Sequence, residues 1–123
     1  MTIYVLDYQG TLDQLSRPKG FVRALQSLGH KVILLTGLSS TSVQRRHKGL
    51  AEAPDRFVTK GEALLTVIRE AVHDWEGATG VIVCDDEPST EQDVLDLATG
   101  SDLAIPITFL APQDLNAHLS SLA

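Results

Sequence analysis

Three short apolar runs in this 123-residue chain each end on a side chain able to do chemistry. Residues 3–6 run into Asp7, residues 32–35 into Thr36 and Gly37, and residues 81–84 into the pair Asp85 and Asp86. Lys60 follows a fourth, weaker run, Arg56–Thr59. If these runs are parallel strands of one open sheet, all of these groups collect beyond the carboxyl ends of the strands, where such sheets bind ligands. Carboxylates, a hydroxyl and an ammonium on one rim suit phosphoryl transfer. A carboxylate can attack phosphorus and form an aspartyl phosphate. Acidic oxygens hold Mg²⁺, which bridges to substrate phosphate. The hydroxyl and the ammonium neutralise the equatorial oxygens of the group in flight.

The elements that must position these residues are legible in the apolar period. Phe21, Val22, Leu25 and Leu28 recur at helical spacing, and Gly29 follows as a C-cap. Ser39 to Ser42 offer N-caps for a helix reaching about Lys48, with Gly49 after it. Leu64, Leu65, Ile68, Ala71, Val72 and Trp75 form a helical stripe. Val94, Leu95 and Ala98 suit a short helix. Residues 103–110 suit a last strand, broken by Pro106 and so expected at an edge. Leu115, Leu119 and Leu122 suit a terminal helix. Five strands alternating with helices predict right-handed crossovers and a three-layer, mainly parallel α/β sheet. The runs ending at Asp7, Thr36 and Asp85 are the continuous ones, as expected for strands buried on both faces.

Composition sets bounds on this reading. The length suits one domain over residues 1–123, and 43% hydrophobic with 21% charged residues is ordinary for a globular chain. No apolar run approaches the roughly 18 residues of a membrane helix. The N-terminus reads as a strand, not a signal peptide, which with a lone cysteine, Cys84, makes a cytoplasmic setting the expectation. Net charge is −6, so the chain as a whole has no basic nucleic-acid footprint. Its basic cluster is Arg45-Arg46-His47-Lys48, read first as cations complementing a helix C-terminus and second as an anion-recognition patch.

Tyr4-Val5-Leu6-Asp7-Tyr8-Gln9-Gly10-Thr11-Leu12 resembles the first motif of the haloacid dehalogenase (HAD) superfamily. Residues 32–37 resemble its second motif, Lys60 stands where its third-motif lysine is expected, and residues 81–86 resemble its fourth. The resemblance implies a Rossmann-like core of strand order 5-4-1-2-3 and a phosphohydrolase or phosphotransferase with Asp7 as nucleophile. It implies a Mg²⁺ site from Asp7, the backbone carbonyl of Gln9 and Asp85 or Asp86. It also implies phosphate contacts from Thr11, Thr36, Gly37 and Lys60. The gaps between motifs are too short for a cap domain, so the implied member is capless, open to large substrates or covered by a partner subunit. A small phosphorylated molecule is the implied substrate, with a nucleic-acid end or a protein as alternatives.

One position departs from the family pattern. Where its phosphatases carry a second Asp that protonates the leaving group and later activates water, this chain has Gln9. An amide cannot exchange a proton near neutral pH. A catalytically degenerate domain that binds a phosphate group or a protein partner is therefore the alternative. A two-component receiver domain is rejected on motif order: its acids pair after the first strand, whereas here they pair after the fourth. The bland readings are turn chemistry for Thr36-Gly37, helix capping for Asp85-Asp86, and a solvated side chain for Lys60. The four histidines show no metal-ligand spacing and receive no role.

Overall fold

The structure, a computed structural model, describes residues 1–59, 61, 63–100 and 102–122. Five strands, β1 (Thr2–Asp7), β2 (Lys31–Thr36), β3 (Arg56–Thr59), β4 (Gly80–Cys84) and β5 (Ile107–Leu110), form one parallel sheet in the order β3-β2-β1-β4-β5. This is the expected order, with the three continuous apolar runs as its three inner strands. Five helices connect and flank them: α1 (Pro18–Ser27), α2 (Ser40–Arg46), α3 (Leu64–Asp74), α4 (Pro88–Gly100) and α5 (Leu115–Leu122). None is long and apolar enough to cross a membrane among the described residues.

Strand alternation sorts the core into two layers. Tyr4, Leu6, Val32 and Leu34 face α1, α2 and α5, packing with Val22, Leu25, Val43 and Leu115. Ile3, Val5, Ile33, Val81 and Val83 face the other way, onto Val67, Ile68 and Ala71 of α3 and Val94 of α4. Helix ends follow local chemistry. Pro18 opens α1, where a missing N–H costs nothing, and Gly29 follows its last turn at φ +90. The Ser39 hydroxyl caps α2 by accepting the Ser42 N–H at 3.2 Å.

Several elements differ from expectation. Helix α4 is 13 residues long, and Leu95 is 53% exposed rather than buried. The last strand begins only at Ile107, because Pro106 has no N–H to give the ladder; its carbonyl instead accepts from Val81. Helix α2 stops at Arg46, two residues short of the expected Lys48. Trp75 ends α3, but its ring also receives the Arg56 guanidinium at 4.6 Å.

Candidate functional site

Asp7, Thr11, Thr36 and Asp85 are the buried polar side chains among the described residues, each at most 5% exposed. All four are residues singled out in the sequence. Burying a carboxylate is costly unless it is paired or hydrogen-bonded. Register explains how two such groups meet: Leu6 pairs with Cys84 across β1 and β4, so the next residues, Asp7 and Asp85, leave the sheet side by side. Asp86 follows, exposed. One oxygen from each of Asp7, Asp85 and Asp86 lies within 4.8 Å of the others, an arrangement able to hold a metal ion. The donors are all hard oxygens, which suits a small divalent cation better than a soft one.

Asp85 also does structural work. Its Oδ1 accepts the Glu87 N–H and its Oδ2 the Thr90 hydroxyl, both at 3.1 Å, so it ties down the start of α4. The capping and metal readings of this residue are compatible, because a carboxylate oxygen can accept more than one bond.

The loop after Asp7 is locked by its own backbone. The Tyr8 carbonyl accepts from Thr11 and Asp13, and Asp13 Oδ1 accepts the Gly10 N–H at 2.7 Å. Gly10 has φ +75, and the Asp86 carboxylate sits where a Cβ would be. Gln9 is exposed at the lip of this loop, and the Thr11 hydroxyl is buried without a hydrogen-bond partner. Thr36 Oγ1 accepts the Leu38 N–H at 3.1 Å, the turn contact that the bland reading expects, and its own proton remains to be donated. Gly37 is exposed, with open space where a Cβ would stand. Lys60 lies outside the described residues.

A cavity of about 380 Å³ opens beside Asp7 and Asp85, floored by Val5, Leu35 and Val83 and walled by the first turns of α3 and α4. Cys84 lies beneath it. Burial, then the charges of Asp85 and Asp7, push its thiol up to about 12. Sequence reasoning missed three contributors. Asp13 closes the loop, and its signal was an acid three residues after Gly10. His47 Nδ1 bonds the buried Tyr8 hydroxyl, fixing the residue after Asp7 to the end of α2. His118 Nε2 holds the Tyr4 hydroxyl at 2.7 Å. Both tyrosine hydroxyls are held above their ordinary pKa, chiefly by burial.

No protein-family model and no curated protein matches this chain. It is similar to a solved structure described as "Structure of MT0777", at 11% identity and a TM-score of 0.43, over 98% of this chain and 94% of that one.

Proposed function

We propose that this chain is a Mg²⁺-dependent phosphohydrolase or phosphotransferase of the haloacid dehalogenase type, acting through an aspartyl phosphate on Asp7. The observation that carries the reading is the convergence of buried Asp7 and Asp85 with Asp86, oxygens within 4.8 Å, at the centre of the sheet. Strand order reverses at β1, and ligands gather at such switch points in open α/β sheets.

In this mechanism a carboxylate oxygen of Asp7 attacks phosphorus while the ester P–O bond breaks and its electron pair leaves with the alcohol oxygen. The leaving oxygen takes its proton from water, because Gln9 has none to give. Water then attacks the phosphoryl group on Asp7, which regains its carboxylate as inorganic phosphate departs; an acceptor alcohol in place of water gives transfer. The Thr36 hydroxyl and the Lys60 ammonium neutralise the equatorial oxygens, with Thr11 in the loop after β1 and Gly37 in the loop after β2 as further phosphate contacts. Asp7, Asp85, Asp86 and the Gln9 backbone carbonyl are the groups that would hold Mg²⁺. When bound, it supplies positive charge against the transferring phosphoryl oxygens. A cytoplasmic setting fits a lone buried thiol.

The test is Mg²⁺-dependent turnover of an aryl phosphate, whose leaving group needs no proton. Wild type should show it and Asp7→Asn should lose it; equal rates in both end the reading. The exposed amide at Gln9 favours a second reading, a domain that binds a phosphorylated ligand without turning it over.

A further inference from the structure

Charge in this chain is divided by sequence and by face. Residues 14–51 contain seven of the ten Lys and Arg and none of the sixteen Asp and Glu. That segment carries +7; the remainder, with three cations and sixteen acids, carries −13. Arg17, Lys19, Arg23, Arg45, Arg46 and Lys48 are all exposed on α1, α2 and their flanks, on one side of the sheet. The ion pairs among the described residues use other cations: Lys31 with Asp55, Arg56 with Asp74, and Arg69 with Asp102. The two helices share this surface, because Lys19 lies across Gly49, where a Cβ would stand 2.7 Å from its Nζ. A C-terminal dipole accounts for Arg45 and Arg46 but not for Arg17 and Lys19, at the opening of α1.

A groove joins this face to the aspartates. Three depressions of about 340, 330 and 300 Å³ follow one another and share walls. The first holds Asp85, Asp86 and Phe109. Gly10 and Gln113 lead into the second, which contains Gln14 and Thr11. Asn116 leads into the third, which ends at Arg17. The walls therefore pass from acid, through three carboxamides, to a cation.

We infer that this groove receives a single nucleic-acid strand, its terminal phosphate at Asp7 and its backbone running towards the basic face of α1 and α2. The inference rests on the phosphoryl-transfer reading of Asp7. Carboxamides offer both a donor and an acceptor, which suits base edges in an unpaired strand. Half-buried Phe109 lines the depression beside the phosphoryl end, an aromatic group against which a base can pack. A ligand with one phosphate among the aspartates and more phosphates along the cationic face matches a sign change that a small phosphate ester would leave unused. Arginine, four of these six cations, pairs phosphate bidentately.

Fluorescence anisotropy tests this with dye-labelled ten-residue oligothymidylates carrying a 5′ phosphate, a 3′ phosphate or neither, with Mg²⁺ at low salt. One phosphorylated form should bind several-fold more tightly than the bare strand. The triple variant Arg17→Gln, Lys19→Gln, Arg45→Gln, checked for folding by circular dichroism, should bind at least tenfold more weakly. Its log–log salt slope should be shallower by about 2. No binding, or equal affinity in wild type and variant, overturns the inference. So does displacement by polyglutamate as effective as by unlabelled strand, which would make the face a site for an acidic protein. Wild-type turnover of a small aryl phosphate is measured alongside. Turnover without strand binding removes the groove and leaves the phosphoryl-transfer reading standing; strand binding without turnover does the reverse.

Discussion

The carboxylate of Asp86 occupies the space where a side chain on Gly10 would begin, and Gly10 holds φ +75 beside it. Two loops far apart in sequence thus fit together only because residue 10 is glycine. Gly10→Ala combines left-handed backbone strain with this overlap and should cost about 1–3 kcal/mol. It should also weaken Mg²⁺ binding at least tenfold by displacing Asp86. Urea unfolding and calorimetry check both; unchanged metal affinity would remove Asp86 from the ligand set.

Asp85 and Asp86 should separate in their effects. Asp85→Ala removes the acceptor for the Glu87 N–H and the Thr90 hydroxyl and should cost about 1 kcal/mol in lost hydrogen bonds. Asp86→Ala, on an exposed side chain, should stay within about 0.5 kcal/mol. Both should lose Mg²⁺ affinity by calorimetry. Loss in neither would remove both acids from the ligand set.

Gln9→Asp restores a proton-exchanging group at the lip of the loop. Hydrolysis of alkyl phosphates, which need a proton on the leaving oxygen, should rise on the order of 10²-fold. Aryl phosphates should gain less, and Mg²⁺ affinity should hardly move, since the implied metal contact at this position is backbone. Steady-state rates on the two substrate classes decide it; no gain on either favours the binding-protein reading.

The Cys84 thiol, pushed up to about 12 by burial and the neighbouring aspartates, should not react with thiol reagents at pH 8 until the chain unfolds. Its unfolded value is about 8.5, so the unfolded chain loses this proton first. The thiol's contribution to stability is present below about pH 8.5 and is lost as pH rises from there towards 12. Rapid labelling of the native protein would contradict the buried assignment.

His30 predicts the acid limb. Its Nδ1 accepts the Thr2 N–H at 3.0 Å, and burial, then the N-terminal ammonium and His118, hold its pKa below the ordinary value. The unfolded chain therefore takes up a proton first, so stability should fall as pH drops below about 6.5. Urea midpoints between pH 7.5 and 5.5 should slope less in His30→Gln; equal slopes would refute the assignment.

Much of this was legible in the sequence because strand ends are local features. Asp7, Thr36 and Asp85 each terminate an apolar run, and the parallel register then brings the two acids together without further instruction. The pairing of Asp86 with Gly10 was not legible, since it depends on how two loops cross. Nor were Tyr8 with His47 or Tyr4 with His118, which are separated by 39 and 114 residues. Leu95 misled because helical spacing marks a stripe without saying whether a neighbour covers it. The groove is formed by segments around residues 10, 17 and 113, which no single window contains.

The central claim is that Asp7 accepts a phosphoryl group, and an acid-quenched intact mass measurement tests it most directly. Without a base at Gln9, breakdown of the aspartyl phosphate should lag behind its formation. Wild-type protein mixed with Mg²⁺ and an aryl phosphate should then carry one phosphoryl group, mapped by fragmentation to Asp7 and absent without metal. Asp7→Asn should carry none. A phosphoryl group at another residue, or no adduct in a wild type that turns the substrate over with a rate Asp7→Asn retains, would contradict the account.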